Sequence, residues 1–116
     1  MRALSIAKPG QGCVNEDHAI AGEHLIAVSD GAGGGGIYAD EWSEYLVTNL
    51  PASPIRSFEE FDSWIDCIWE QFYNDHEQKA KAEGGMVLNK FYDEGSFATL
   101  VAVWHAEGKA YWIAYG

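Results

Sequence analysis

Basic residues are scarce in this 116-residue chain, where seven Lys and Arg face eighteen Asp and Glu and leave a net charge of −11. A field of that sign repels polyanions, which excludes nucleic acid and anionic membranes as favoured partners. Cysteine is also scarce, because Cys13 and Cys67 are the only two. They lie far apart and match no Cys-x-x-Cys or Cys/His spacing, so the sequence predicts neither a disulfide framework nor a zinc site.

Long apolar runs are missing as well. The longest nearly uninterrupted run, Phe97 to Trp104, is far shorter than the roughly 18 to 20 residues that cross a bilayer. The opening MRALSIAKPG lacks the apolar core of a signal peptide, and we therefore expect a cytoplasmic protein. The 47% of hydrophobic and 14% of aromatic residues suffice for one buried core, which predicts a single domain over residues 1–116.

Periodicity and turn residues predict an α+β chain with a mainly antiparallel sheet and two helices. The predicted strands are Leu4–Lys8, His18–Ala21, His24–Ser29, Phe97–Trp104 and Lys109–Tyr115, and the predicted helices are Ala39–Leu50 and Ser57–Glu83. The run without alternation from Phe97 to Trp104 is typical of a strand covered on both faces. Residues 86–94 are left as a connection of unassigned structure.

The longer predicted helix carries two local signals. Ser57 and Glu60 form a capping-box pattern, in which each side chain can satisfy a backbone donor near the other residue. Apolar residues then recur at three-and-four spacing, which predicts a stripe that covers a sheet. The members of that stripe are Phe58, Phe61, Trp64, Ile65, Ile68, Trp69, Phe72 and Tyr73.

Acidic residues flank a predicted hairpin whose two-residue turn, Gly22-Glu23, suits type II′. Residues whose numbers sum to 45 would then pair, so Asp17 and Asp30 become diagonal neighbours on one face, about 7 to 8 Å apart. Together with Glu16, these carboxylates favour a hard divalent ion such as Mg²⁺ or Mn²⁺, and the side-chain-free Gly31 can bring a backbone carbonyl close. From these residues alone, an alternative is equally well supported: Glu16 and Asp17 form a solvated turn, and Asp30 caps the glycine loop.

The other candidate motifs do not predict a catalytic or ligand-binding site. The glycine tract at residues 31–36 is not followed by Gly-Lys-Ser/Thr, so it is not a phosphate loop of that type. Ser96 and Thr99 show no Ser/His/Asp arrangement. The four histidines have no metal-ligand spacing and are assigned no role. They are His18, His24, His76 and His105.

Four segments together resemble the metal-dependent protein phosphatases of type 2C. Each segment is a modest match alone, but their order and spacing are specific. The resemblance covers the chain and corresponds to the amino-terminal half of that family's catalytic domain. The segments are Asn15-Glu16-Asp17-His18-Ala19, Val28-Ser29-Asp30-Gly31-Ala32-Gly33-Gly34, Gly95-Ser96-Phe97-Ala98-Thr99 and Tyr111-Trp112-Ile113-Ala114-Tyr115-Gly116.

The resemblance implies part of an αββα sandwich and the hydrolysis of phosphoserine or phosphothreonine in a phosphoprotein by a water that two Mn²⁺ or Mg²⁺ ions activate. It implies that Asp30 bridges both ions and that the Gly31 carbonyl binds one of them. Glu16 and Asp17 match the acidic pair that holds that same ion directly or through water. The catalytic residues implied are thus Asp30 and Asp17, and the metal ligands are these two with Glu16 and Gly31.

Two departures from the family pattern shape the expectation. Gly12 stands where the family commonly has a phosphate-gripping arginine, and the family's last metal-binding aspartates belong to its carboxy-terminal half. We therefore expect one bound ion and weak or no hydrolysis by this chain alone. The alternatives are a non-catalytic pseudophosphatase module that binds metal or phosphoprotein, and an unrelated acidic domain with a structural glycine loop.

The last predicted strand, Lys109–Tyr115, would form an open aromatic edge that favours association. We expect a homo-oligomer, or association with a missing carboxy-terminal half.

Overall fold

The computed structural model of the protein describes residues 16–32 and 36–116. Within them the α+β class is confirmed, with four strands and three helices. The predicted strand Leu4–Lys8 lies outside the described residues. In chain order the elements are β1 (Asp17–Ala21), β2 (Leu25–Gly31), α1 (Ala39–Thr48), α2 (Phe58–Glu83), α3 (Gly85–Glu94), β3 (Ala98–Ala106) and β4 (Lys109–Tyr115).

The sheet has the order β1-β2-β3-β4, and every neighbouring pair is antiparallel. The start of β1, the end of β2, the start of β3 and the end of β4 therefore lie at the same end of the sheet. We call this the Asp30 end, after the residue near the end of β2. The turn at the opposite end, between β3 and β4, is made by Glu107 and Gly108, which both have positive φ, at 56° and 74°, as a tight hairpin turn requires.

Only one face of the sheet is covered by the described helices. Buried and exposed residues alternate along β2 and β3, which defines a helix face and an open face. Leu100, Ala102 and Trp104 point to the helix face and are at most 1% exposed, whereas Val101 and Val103 on the open face are 49% and 37% exposed. The prediction of a strand covered on both faces was wrong for the described part of the chain, because an apolar run does not show what lies against it.

The first two helices form where predicted. Helix α1 ends at Thr48, two residues before the predicted end. Ser57 caps α2, and its Oγ accepts a hydrogen bond from the backbone N–H of Glu60 at 3.1 Å. The second half of the capping box differs from the prediction, because the Glu60 carboxylate accepts from the N–H of Arg56 at 2.7 Å.

The aromatic stripe of α2 was predicted to cover the sheet, but it contacts both the sheet and helix α1. A helix of 26 residues is about 39 Å long and therefore extends beyond the ends of the strands on which it packs. Phe61 and its neighbours near the start pack on the sheet core. Further along, Phe72 contacts Trp42 of α1, with ring centroids 4.8 Å apart, whereas Trp69 is 43% exposed.

Helix α3 lies where the sequence predicts only a connection without assigned structure. It packs beside the end of α2, where the buried ring of Phe91 lies 5.1 Å from that of Tyr73. Val87, Leu88 and Phe91 carry the three-and-four spacing that identifies such a helix. No helix in the described part of the chain is both long and apolar enough to span a membrane.

Candidate functional site

The β1–β2 hairpin sets the geometry of the candidate site. Ala21 pairs with Ile26, so the connection is longer than the predicted two-residue turn, and that prediction was wrong. The backbone N–H of Gly22 donates to the carbonyl of Leu25 at 2.9 Å and closes the turn. The register is consequently shifted by two residues from the predicted one.

This shift moves Asp17 directly opposite Asp30, rather than diagonal to it as predicted. Because side chains alternate with a period of two, a two-residue shift leaves both carboxylates on the predicted common face, the open face. Directly opposed residues have Cβ atoms about 4.5 to 5.5 Å apart, closer than diagonal neighbours. Asp30 is exposed and Asp17 is half-buried.

Glu16 and Gly31 are joined through the backbone. The N–H of Gly31 donates to the carbonyl of Glu16 at 3.0 Å. A Cβ on Gly31 would lie 2.8 Å from that same oxygen and 2.7 Å from the carbonyl oxygen of Ala39, at the start of α1. Only glycine allows these backbones to meet, so Gly31 holds β1 and α1 against the end of β2.

The ends of the glycine loop are fastened to the segment before β3. The N–H of Ala32 donates to the carbonyl of Phe97 at 2.9 Å, and the N–H of Ile37 donates to that of Gly95 at 2.8 Å. The hydroxyl of Ser96 donates in turn to the carbonyl of Ile37. Residues 33–35 lie outside the described residues, but the loop leaves and returns to fixed anchors on both sides of them.

The last two strands complete the Asp30 end. Thr99 pairs with Asp30 across β2 and β3, and its exposed side chain therefore shares the open face with the carboxylate. Gly116 adjoins Thr99, because a Cβ built on Gly116 would lie 3.0 Å from the Thr99 Cγ2. The chain thus brings Glu16, Asp17, Asp30 and Gly31 together with residues 95–99 and 116.

The described residues at the Asp30 end bring together oxygen atoms of the kind that bind hard cations. Carboxylate and carbonyl oxygens are the donors that Mg²⁺ and Mn²⁺ take, and Asp17, Asp30 and the backbone at Gly31 fit that chemistry. Within residues 16–32 and 36–116, however, no three His, Cys, Asp or Glu side chains are grouped so as to hold a metal. Asn15, Cys13 and the departure at Gly12 lie outside the described residues.

Two buried serines hydrogen-bond the backbone of the residues beside Asp30 from the helix face, and sequence analysis gave them no role. The Ser43 hydroxyl donates to the carbonyl of Ser29 at 2.9 Å, and the Ser29 hydroxyl donates to the carbonyl of Thr99 at 2.7 Å. Both serines are 0% exposed. The signal that could have found Ser43 is its place in the apolar stripe of α1, where a small polar residue needs a buried partner.

A polar cluster between α1 and α2 was also missed. The Glu41 carboxylate binds the Nε2 of His76 at 2.6 Å and the Nζ of Lys79. Burial alone would raise the pKa of Glu41, but the hydrogen bonds and charges of Lys79 and His76 outweigh it and hold that pKa below its usual value. Burial and the hydrogen bond to Glu83 raise the pKa of Tyr38. These contacts tie the helices together and lie apart from Asp30.

Comparison with family models, with curated proteins and with solved structures finds no match to the chain. What the chain does must therefore be argued from its own residues and their arrangement. Among the described residues, we take the carboxylates and backbone groups at the Asp30 end as the candidate functional site.

Proposed function

We propose that this chain is the amino-terminal, metal-holding part of a cytoplasmic phosphoprotein phosphatase similar to type 2C, with an αββα sandwich as the complete fold. The reaction is the hydrolysis of a phosphoserine or phosphothreonine monoester by a metal-activated water. The chain alone holds one Mn²⁺ or Mg²⁺ ion and hydrolyses weakly or not at all.

One observation carries the proposal. The four segments that resemble the phosphatase family are scattered from residue 15 to residue 116, yet each of them has described residues at the Asp30 end of the sheet. An antiparallel sheet can form without acidic and glycine residues at one end, whereas a site built from several strand ends needs them there. The convergence supports a shared chemical role for these segments.

The residues have distinct tasks in this proposal. Asp30 and Asp17 would present carboxylate oxygens to the cation from opposed positions. Gly31, fixed by its contacts to Glu16 and Ala39, keeps the end of β2 in place beneath them. A divalent ion held there would supply a water of lowered pKa, neutralise charge on the phosphoryl group and offset the negative field of an acidic protein.

Metal binding tests the proposal directly. We expect calorimetry to detect one Mn²⁺ per chain, and Asp30→Asn to weaken that binding at least tenfold, because one of two opposed carboxylates is lost. Asp62→Asn is the matched control, since Asp62 is an exposed carboxylate on α2. Equal binding by wild type and Asp30→Asn, or no binding by wild type, would remove the basis of the proposal.

Hydrolysis of p-nitrophenyl phosphate then separates two functions of the same site. Activity that needs Mn²⁺ and is lost in Asp30→Asn would establish an enzyme. Mn²⁺ binding without hydrolysis would favour the second candidate, a non-catalytic pseudophosphatase module that binds metal or phosphoprotein. Gly12, which stands where the family commonly has a phosphate-gripping arginine, is the residue that favours this second candidate.

A further inference from the structure

A pocket of about 190 Å³ opens in the helix layer between α1, α2 and α3. Its lining comes from these helices and from the segment before β3, so it lies on the side of the sheet away from the open face. A second sheet against the open face, as in the proposed sandwich, would leave it accessible. Five of its seven lining residues are aromatic, namely Trp42, Trp69, Phe72, Tyr73 and Phe91. Phe72 and Phe91 are buried and form its inner part, whereas Trp69 and Tyr73 are exposed at its mouth.

The aromatic rings surround the pocket from several sides. Trp69 and Tyr73 have centroids 5.9 Å apart and planes inclined by 72°. Tyr73 and Phe91 are inclined by 44°, and Trp42 and Phe72 by 58°. Parallel rings would stack and fill the space between them, whereas rings inclined in this way form adjoining walls. A cation among such walls can lie within roughly 6 Å of several ring centroids, which is the range of cation–π attraction.

The charge around the pocket is strongly negative. Residues 58–94, which contain α2 and α3, include ten acidic and three basic residues, so they carry a net charge of −7 of the −11 of the whole chain, with His76 neutral. The three basic residues, Lys79, Lys81 and Lys90, each form an ion pair with a carboxylate. A field of this sign attracts cations to the mouth of the pocket and repels anions.

We propose that this pocket binds a quaternary ammonium group, the trimethylammonium end of a choline-like molecule or of a methylated lysine side chain. The pocket is smaller than the roughly 300 to 1,000 Å³ that drug-sized ligands occupy, which suits a single compact group. A quaternary nitrogen has no N–H, so aromatic walls can enclose it without leaving a donor unpaired. An unmodified lysine ammonium would bring three donors, for which the described lining side chains offer only the hydroxyls of Ser96 and Tyr73 as acceptors.

A neutral apolar ligand is the alternative occupant, because aromatic walls would accept one. The negative charge of the surrounding helices favours the cation instead. The carbon isostere of choline, with a tert-butyl group in place of the trimethylammonium group, has nearly the same shape without the charge and separates the two. The inference is independent of the proposed metal chemistry, because the pocket shares no residue with the carboxylates at the Asp30 end.

Titration of the full chain in chelator, followed through the indole N–H resonances of its tryptophans, measures the binding. We expect choline to bind with a Kd of about 1 mM or lower. Its carbon isostere should bind at least tenfold more weakly, because the cation–π attraction is lost. The resonances of Trp42 and Trp69 should shift, whereas that of Trp112, on the open face, should not. This comparison uses the wild-type chain and does not depend on the folding of a variant.

Substitution tests the aromatic walls. Trp69→Leu should weaken choline binding at least tenfold, and Trp69→Phe should retain part of the affinity because it keeps a ring. Trp112→Leu is the matched control, since Trp112 is 70% exposed and lies outside the pocket, and it should bind choline as the wild type does. No choline binding up to about 10 mM, equal binding of choline and its isostere, or binding that Trp69→Leu leaves unchanged would overturn the proposal. Equal weakening by Trp112→Leu would do so as well.

Two peptides of one sequence, with trimethyllysine or unmodified lysine, distinguish the sources of the group. Binding of the methylated peptide more tightly than choline would support a modified protein as the ligand. Choline binding without binding of either peptide would support a free small molecule. Equal binding of both peptides would contradict recognition of the quaternary group.

Discussion

Replacing Gly31 by alanine should destabilise the protein far more than its single added methyl group suggests. The new Cβ would stand 2.7 Å from the Ala39 carbonyl oxygen, 2.8 Å from that of Glu16 and 2.9 Å from the Ala39 carbonyl carbon. All three are backbone atoms, which cannot rotate away as a side-chain tip does. Forcing a group into packed surroundings costs about 1 to 3 kcal/mol, and the stiffer unfolded chain of alanine returns about 0.4 to 1 kcal/mol of that.

Because the new Cβ meets three backbone atoms, we expect a net effect in the upper part of that range: Gly31→Ala should lower the free energy of unfolding by about 1 to 2 kcal/mol, which lowers the Tm of a domain of this size by about 4 to 8 °C. Urea and thermal unfolding followed by circular dichroism measure both quantities. Gly22→Ala is the matched control, because its Cβ meets only the Leu25 carbonyl oxygen at 3.6 Å. The close approach of β1, β2 and α1 would be refuted if both variants unfolded within about 0.5 kcal/mol of wild type.

Two further substitutions test the contacts that sequence analysis missed. Ser43→Ala removes a buried hydrogen bond and leaves the Ser29 carbonyl without that donor, so urea unfolding should show a loss of about 1 to 2 kcal/mol; no loss would show that the bond contributes nothing. Glu41→Gln tests the contacts to Lys79 and His76. Because these contacts lower the pKa of Glu41 in the folded state, their stabilisation is present above the unfolded pKa of about 4.5 and disappears as pH falls through the lower folded value. The difference in urea midpoint between wild type and Glu41→Gln should accordingly be largest near pH 7 and shrink below pH 4.5, and a constant difference would contradict this assignment.

Local signals in the sequence predicted the helices well. The Ser57 cap and the spacing of apolar residues predicted α2 to within one residue at each end, because capping and periodicity depend only on near neighbours. The same rules apply to Val87, Leu88 and Phe91, yet α3 was not predicted, because the two glycines before it favour the end of a helix. Gly84 does end α2, with φ at 114°, and Gly85 begins the next helix at once.

The hairpin register and the exposure of the sheet depend on more distant contacts. A Gly-Glu pair permits a two-residue turn, but the alternative with a longer connection keeps every side chain on the same face, so the hydrophobic pattern cannot distinguish them. In the same way, Val101 and Val103 look like buried residues in the sequence. The sequence of β3 does not show which element packs against the face on which Val101 and Val103 lie.

The candidate site illustrates the same division between local and distant information. The sequence placed Asp17 and Asp30 on one face, because alternation along a strand is a local rule. It did not reveal that Gly31 is wedged between Glu16 and Ala39, because that contact joins three elements whose spacing is set by packing. Nor did it assign Ser43, whose partner Ser29 is recognisable only after α1 is docked on β2.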